Sequence, residues 1–125
     1  MKFSDYFKGV KGTGVLATAD SKGVVDAAIY AIPHIIDEET VAFITTEKLT
    51  YQNLQSNPHA AYLFMEEEDR YKGIRLFLTK IREEKDVQAL EAIRRKSYPD
   101  LKGKETLVYF KVDKVVPLIG AGPKG

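Results

Sequence analysis

The chain contains no cysteine and no tryptophan among its 125 residues. The absence of cysteine excludes disulfides, thiolate catalysis and cysteine-ligated metal or iron–sulfur centres. The two histidines, His34 and His59, are 25 residues apart, outside the short spacings with which histidines bind metals. We therefore predict no metal site, and we interpret both histidines as structural or surface groups.

The chain also lacks an excess of either charge sign. Its 19 lysines and arginines are balanced by 18 acidic residues, which gives a formal net charge of +1. A balanced distribution does not produce the electrostatic field that attracts nucleic acid or a membrane surface. The apolar runs are too short to span a membrane, and residues 1–10 lack the continuous apolar core of a signal peptide. The sequence predicts a cytoplasmic protein that binds neither nucleic acid nor membrane.

A hydrophobic content of 44% is sufficient for one buried core in a chain of this length. We predict a single domain over residues 1–125, with a flexible tail over residues 120–125. Alternating apolar residues predict six strands, and the last of them is one bent strand or a strand pair. The predicted strands cover residues 14–20, 24–36, 41–46, 59–66, 73–84 and 106–119. Helical spacing predicts helices over residues 3–8, 48–57 and 85–98.

These elements predict a mainly β fold, a six-stranded antiparallel β-barrel with peripheral helices. Closure into a barrel removes the exposed edges that an open sheet would leave. The second strand is apolar on both faces, with Ala27 and Ile29 on one side and Ala28 and Tyr30 on the other. Either a ligand or a second subunit can cover the additional apolar face, and burial of both faces within one domain is the third interpretation.

The strongest candidate for a binding site is the corner between the third strand and the next helix. It contains Thr45, Thr46, Lys48 and Thr50, three hydroxyls and one ammonium at a helix start. Free backbone N–H groups and the helix dipole favour an anion there, so the corner fits a phosphate. The alternative is that Thr50 is only a helix cap and Lys48 only a solvated charge.

The residues from GVLATAD at position 14 through KLTYQNLQSNPHAAYLF resemble the pyridoxamine 5'-phosphate oxidase-like family of FMN-binding split barrels. The most specific part is Asn53-Leu54-Gln55-Ser56-Asn57-Pro58 at the end of the short helix. This resemblance implies a split barrel that forms a homodimer and holds FMN between the two subunits. It further implies that Ala28, Ile29 and Tyr30 border the isoalloxazine ring. By the same resemblance, the corner threonines and Lys48 hold the phosphate, and Asn53 belongs to the cofactor site.

Two departures from the family pattern bear on function. Family members often carry a basic residue three positions before the helix asparagine, where this chain has Thr50. True pyridoxamine phosphate oxidases have a longer C-terminal part with arginine and histidine residues, so we do not expect oxidation of vitamin B6. The resemblance implies an FMN-dependent oxidoreductase acting on a small organic substrate or electron donor, with no catalytic side chain of its own assigned. The alternatives are an FMN electron-transfer protein without a substrate, or a module that binds another planar ligand such as haem or deazaflavin.

Overall fold

The computed structural model describes residues 3–46, 48–85 and 105–120, and for Lys48 only the backbone. Residues 86–98 of the predicted third helix and residues 121–125 of the predicted tail lie outside these ranges. The two helices are α1 (Phe3–Tyr6) and α2 (Lys48–Ser56). The strands in these ranges are β1 (Gly12–Ala19), β2 (Val25–Tyr30), β3 (His34–Ile35), β4 (Thr40–Thr45), β5 (His59–Glu66), β6 (Gly73–Glu84) and β7 (Thr106–Pro117).

The strands form one antiparallel sheet in the order β2-β1-β5-β6-β7-β4-β3. Strands β2 and β3 are neighbours in the sequence but lie at opposite edges of this sheet. Only residues 31–33 connect them, so the two edges stand no more than about 14 Å apart at that point. The sheet must therefore curl on itself, which confirms the predicted antiparallel split barrel.

The number of strands differs from the prediction, because the predicted second strand over residues 24–36 is interrupted. Strand β2 ends at Tyr30, and a separate two-residue strand, β3, begins at His34. Pro33 lies in the break and is buried. A proline has no amide hydrogen to donate to a strand partner, so the ladder cannot continue through it.

Aromatic side chains fill the seam between the two edges of the sheet. The ring of Tyr30 on β2 meets the ring of Phe43 on β4 edge-on, with centroids 5.8 Å apart. From β5, the Tyr62 hydroxyl donates a hydrogen bond of 3.0 Å to the carbonyl oxygen of Ala31. This hydroxyl passes over Gly14, where an added Cβ would overlap it. The seam is thus joined by side chains rather than by a strand ladder.

The main core lies inside the curled sheet. Its largest fully buried side chains include Leu16, Tyr62, Phe64, Leu76, Leu78 and Phe110. From the N-terminal segment, Phe3 and Phe7 join the same cluster. Full burial of such a side chain contributes roughly 1.5–3 kcal/mol each to folding, so this interior dominates the stability of the fold.

The turn between β1 and β2 is formed by a glycine and an aspartate. Gly23 has a φ of 84°, a left-handed conformation that favours glycine. A side-chain oxygen of Asp20 accepts hydrogen bonds from the backbone N–H groups of Lys22 and Val24, at 2.8 and 3.0 Å. This turn fixes the register in which β2 returns along β1. Neither helix in the described part of the chain has the length and apolar character needed to cross a bilayer.

Candidate functional site

The candidate site is built around the corner where β4 ends and α2 begins. Strand β4 ends at Thr45, and Lys48 is the first residue of α2. The first N–H groups of a helix have no partner within the helix, and the dipole makes this end electropositive. Thr46 lies between the two elements and is exposed. Its hydroxyl is therefore in a position to meet a ligand from solvent.

Thr45 is placed differently from Thr46. Its side chain is only 2% exposed, and its hydroxyl donates a hydrogen bond of 3.2 Å to the backbone carbonyl of Thr106 on β7. Thr45 and Thr106 are also opposite each other in the ladder between β4 and β7. The hydroxyl of Thr45 thus supports the end of β4 from inside the sheet and is not presented at the surface of this chain.

Thr50, the third residue of α2, has the most unusual environment of the predicted residues. Its side chain is wholly buried, and its Oγ1 atom has no hydrogen-bond partner among the described residues. A buried hydroxyl without a partner has lost its hydrogen bonds to water and costs about 1–3 kcal/mol. A ligand atom could supply the missing partner only by reaching this covered hydroxyl at the start of α2.

Asn53 ties the helix to the barrel. It is 5% exposed, and its side-chain amide donates a hydrogen bond of 3.0 Å to the hydroxyl of Thr18 on β1, which is itself buried. One turn later, the side-chain amide of Asn57 donates to the backbone carbonyl of Asp20 at 3.3 Å. These contacts explain the two asparagines of the Asn-Leu-x-x-Asn-Pro run as anchors that position α2 against β1 and the following turn.

The exposed side of α2 is held by the long strand β6, at its projecting end. The carboxylate of Glu83 accepts hydrogen bonds from Gln55 on the helix and from Lys80 on its own strand, the latter at 2.9 Å. Burial raises the pKa of Glu83, but these hydrogen bonds and the nearby cations lower it by more, so the net pKa is below its ordinary value. Beyond it, Lys85 donates to the hydroxyl of Tyr51 at 3.1 Å. The helix is therefore fixed on two sides.

The residues predicted to border a planar ring lie on β2, but they do not share a face. The side chain of Ile29 points outward and is 72% exposed, whereas Tyr30 packs into the seam and Ala28 lies opposite the buried Leu16. This alternation follows from the two-residue period of a strand. A ligand on the outer face would meet Ile29 and Ala27, while the open edge of the strand presents the backbone N–H and C=O groups of alternate residues.

The corner and β2 are close in space. Helix α2 packs against β1, β2 and β4. Thr18, the partner of Asn53, lies directly opposite Asp26 of β2 in the ladder. Strand β2 pairs only with β1 in the described sheet, so one row of its backbone N–H and C=O groups has no strand neighbour. The fold thus brings a helix start and an open strand edge to one end of the barrel.

An apolar surface, which we call the outer face, continues from β2 across the neighbouring strands. Val15 of β1 lies opposite Ile29 on one side and Leu63 of β5 on the other. In the next row, Ala17 lies between Ala27 and Ala61. Its most exposed large members are Val25 at 77% and Ile29 at 72%, and it extends to Leu63 and to Phe77 of β6 at 37% and 38%. A contiguous apolar surface of this kind is typical of an interface with a ligand or another chain.

Sequence reasoning missed Thr18 and the continuation of the outer face onto β5 and β6. The signal for Thr18 was present, because it is a polar residue on the same side of β1 as the buried Leu16. A polar group on an inward stripe requires a partner, and Asn53 is that partner. The outer face was visible only on β2, because the alignment of β1, β5 and β6 depends on the strand order of the sheet.

The two histidines differ in their exposure. His59 is exposed, and His34 is partly buried, which lowers the pKa of its imidazole. Within residues 3–46, 48–85 and 105–120, no three His, Cys, Asp or Glu side chains are grouped so as to hold a metal ion.

Comparison with known proteins gives structural matches only, because no family model and no curated protein matches the sequence significantly. An FMN-binding protein from Syntrophomonas wolfei subsp. wolfei superposes with a TM-score of 0.75 at 20% identity, over 88% of this chain and 79% of that protein. A candidate pyridoxamine 5'-phosphate oxidase from Lactobacillus delbrueckii gives 0.67 at 17% identity, over 89% and 87%. An F420 reductase gives 0.61 at 20% identity, over 83% and 88%. The chain therefore has the split-barrel fold shared by FMN-binding and pyridoxamine 5'-phosphate oxidase-like proteins.

Proposed function

We propose that this chain binds FMN between two copies of itself and acts as an oxidoreductase on a small organic substrate. The observation that carries this proposal is the buried, unpartnered hydroxyl of Thr50 at the start of α2. A phosphate oxygen is a strong acceptor, and it would give this hydroxyl the hydrogen bond that it lacks. The fold shared with an FMN-binding protein makes FMN the first ligand to test.

The phosphate is assigned to Thr46, the backbone N–H groups at the start of α2, the side chain of Lys48, and Thr50. Thr45 and Asn53 are assigned to positioning, because the Thr45 hydroxyl and the Asn53 amide are already engaged with Thr106 and Thr18. They hold the end of β4 and the helix at a fixed separation. A preformed anion site loses less conformational entropy on binding than a mobile one.

The isoalloxazine ring is assigned to the edge of β2. Among Ala28, Ile29 and Tyr30, the backbone groups that point away from β1 can bond the polar rim of a planar heterocycle, and small side chains such as Ala27 allow close approach. The outer face beside it would be covered by the second copy. In this arrangement the two copies exclude water from both the ring and the apolar surface.

Bound FMN supplies the redox chemistry, accepting and donating hydride or single electrons at its ring system. The chain contributes binding, orientation and exclusion of water. No general acid or base is assigned among its side chains, and a substrate or electron donor would approach the ring from solvent.

The decisive experiment compares FMN with riboflavin, which lacks the phosphate, by calorimetric titration of the wild-type chain and Thr50→Val. Valine keeps the shape of threonine but removes the unpartnered hydroxyl, so the variant is expected to fold at least as well as the wild type. We expect FMN affinity to fall about tenfold and riboflavin affinity to stay the same, since a hydrogen bond to a charged group contributes roughly 1.5–3 kcal/mol. Thr13→Val, at an exposed threonine of β1, is the matched control.

A wild-type chain that does not bind FMN at micromolar concentration would refute the proposal. If Thr50→Val lowers the affinities for FMN and riboflavin equally, the Thr50 hydroxyl does not contact the phosphate. A protein that is colourless straight from purification but retains added FMN after desalting would still agree with the proposal, because affinity and occupancy are separate quantities.

A deazaflavin is the second candidate, and the fold shared with an F420 reductase favours testing it. Position 50 carries a threonine where family members often carry a basic residue. An uncharged residue there also fits a ligand whose phosphate carries less charge than the phosphate of FMN. Titration with F420 beside FMN decides between the two. If FMN binds but no organic substrate is turned over with nicotinamide cofactors or quinones, electron transfer becomes the better description.

A further inference from the structure

The outer face changes from apolar to charged between β5 and β7. Residues directly opposite each other in an antiparallel ladder lie on the same side of the sheet, so the pairing extends the rows of the outer face across β6. Apolar residues of β5 lie opposite Arg75 and Phe77 of β6, and Phe77 in turn lies opposite Lys114 of β7. One row further along, Thr79 lies opposite Lys111. We call Arg75, Lys111 and Lys114 the cationic strip.

The cations of the strip have no carboxylate partner among the described residues. Arg75 donates to two backbone carbonyls near the end of β7, one of them at 3.0 Å, and the ammonium of Lys114 lies 5.8 Å from the ring centroid of Phe77. The acidic residue of β7 is Asp113, whose carboxylate accepts a hydrogen bond of 2.5 Å from a hydroxyl on β6. The strip and this carboxylate together carry a net positive charge.

The apolar half of the outer face is centred on β1. Strand β1 lies between β2 and β5, and the exposed apolar side chains Val25, Ile29 and Leu63 are on these two neighbours. Adjacent strands are about 4.8 Å apart, so β2 lies roughly 5 Å to one side of β1. On the other side, β6 and β7 lie roughly 10 and 14 Å away. The cationic strip is therefore well to one side of the apolar centre.

This asymmetry favours one way of stacking two copies. Sheets in aligned packing keep their strand directions within about 30° of each other, so a twofold axis in the contact plane runs either across the strands or along them. With the axis across the strands, each strand covers its own counterpart and the two cationic strips meet. With the axis along β1, β2 of each copy covers β5 of the other and the strips lie at opposite ends of the contact. Because like charges that face each other are unfavourable, the second arrangement is the better one.

Given the proposed homodimer, on which this inference rests, we propose that the copies stack about a twofold axis parallel to β1 and that β6 of each copy covers the open β2 edge of its partner. In this arrangement the partner's β6 stands roughly 10 Å from the axis on the side of β2, about 5 Å beyond β2 itself. The partner's Phe77 and cationic strip then lie over the strand edge assigned to the flavin ring. Each site is built from β2 and α2 of one copy and from β6 and β7 of the other, so a single copy holds only half of it.

The absence of cysteine makes the direction of the axis measurable with single labels. Lys114→Cys and Thr13→Cys each place one nitroxide per copy on an exposed residue, the first on β7 and the second on β1. With the axis along β1, we expect about 30 Å between the β7 labels and less than about 20 Å between the β1 labels. An axis across the strands reverses this order. Double electron–electron resonance measures the longer distance, and dipolar broadening of the continuous-wave spectrum reports the shorter one.

Phe77→Leu tests the contribution of the partner to the ring. Within one copy β6 lies three strands from β2, so this side chain meets the ring only across the dimer. Leucine keeps the apolar contact between copies but removes the aromatic ring. We expect the affinities for FMN and riboflavin to fall equally, by about fivefold, at a concentration where light scattering gives the dimer mass. Tyr71→Leu, at an aromatic residue that is 81% exposed in the turn before β6, is the matched control and should change neither affinity.

The outcomes separate this inference from the proposed function. A wild-type chain of monomer mass would overturn the homodimer and the stacking together. A dimer whose labels lie closer together in Lys114→Cys than in Thr13→Cys would overturn the stacking and leave the homodimer in place. Flavin affinities that are the same in Phe77→Leu and the wild type would remove β6 from the site. A dimer with the expected label distances that binds neither flavin would refute the cofactor, and with it the role of Phe77, but not the stacking.

Discussion

Three threonines within six residues of sequence illustrate how position determines the role of a side chain. Thr45 donates to the backbone of Thr106, Thr46 is exposed, and Thr50 is buried with an unpartnered hydroxyl. The sequence indicates hydroxyls near a helix start, which is sufficient to predict an anion site. It does not show which hydroxyls are already used, because the partner of Thr45 lies 61 residues further along the chain.

Asn53→Ala tests whether this asparagine acts as an anchor. The substitution removes the 3.0 Å hydrogen bond to Thr18 and leaves the Thr18 hydroxyl buried without that partner. We expect the free energy of unfolding to fall by about 1–3 kcal/mol, measured by urea denaturation.

A second substitution separates the anchor from a simple loss of packing. Thr18→Val in the Asn53→Ala background removes the stranded hydroxyl and should restore part of the lost stability. If the double variant loses more free energy of unfolding than the two single variants lose in total, the hydrogen bond is not the source of the effect.

At the scale of secondary structure, the best-predicted strands are those with a clear two-residue alternation. Residues 59–66 and 73–84 were predicted as strands, and β5 and β6 have these bounds. The break between β2 and β3 was not predicted, because both faces of residues 24–36 are apolar and the pattern continues through Pro33. A uniform apolar pattern indicates burial but contains no information about where the backbone leaves a sheet.

Glu83→Gln tests the contact between β6 and α2 through its pH dependence. The folded-state pKa of Glu83 is lowered from its ordinary 4.5, so its ionised form stabilises the fold. This stability is fully present well above pH 4.5 and is lost as the pH falls through the folded-state value. We expect the variant to be less stable than the wild type at pH 7 and the difference to shrink below pH 4.5, as followed by urea denaturation.

If the wild type and Glu83→Gln have equal stabilities at pH 7, the amide stabilises the fold as well as the carboxylate does. In that case the contact with Gln55 and Lys80 would depend on shape rather than on charge. The same variant should bind FMN more weakly if the position of α2 matters to the corner, and this provides a separate measurement.

At the scale of the whole molecule, the outer face predicts self-association. Ile29→Glu places a charge on the β2 part of this face, and burial of an unpaired carboxylate opposes any contact made there. We expect light scattering to give about twice the chain mass of 14.1 kDa for the wild type and the monomer mass for the variant. The stability of the isolated chain should change little, since Ile29 is 72% exposed.

Ile81→Glu is the control for this prediction. Ile81 is 53% exposed and lies four residues beyond Phe77, on the projecting part of β6. A wild-type chain with the monomer mass would contradict the homodimer. If only Ile81→Glu dissociates the dimer, the interface lies at the end of β6 and not on the outer face.

The three-residue connection between β2 and β3 has a thermodynamic consequence. Tyr30 ends the strand assigned to the flavin ring, and Ile32 and Pro33 line a cavity together with Phe7. So short a linker keeps the end of β2 and this cavity within a few residues of each other. If a ligand bound beside Ile32 changes the affinity for FMN by some factor, FMN must change the affinity for that ligand by the same factor, so either titration reports the coupling free energy.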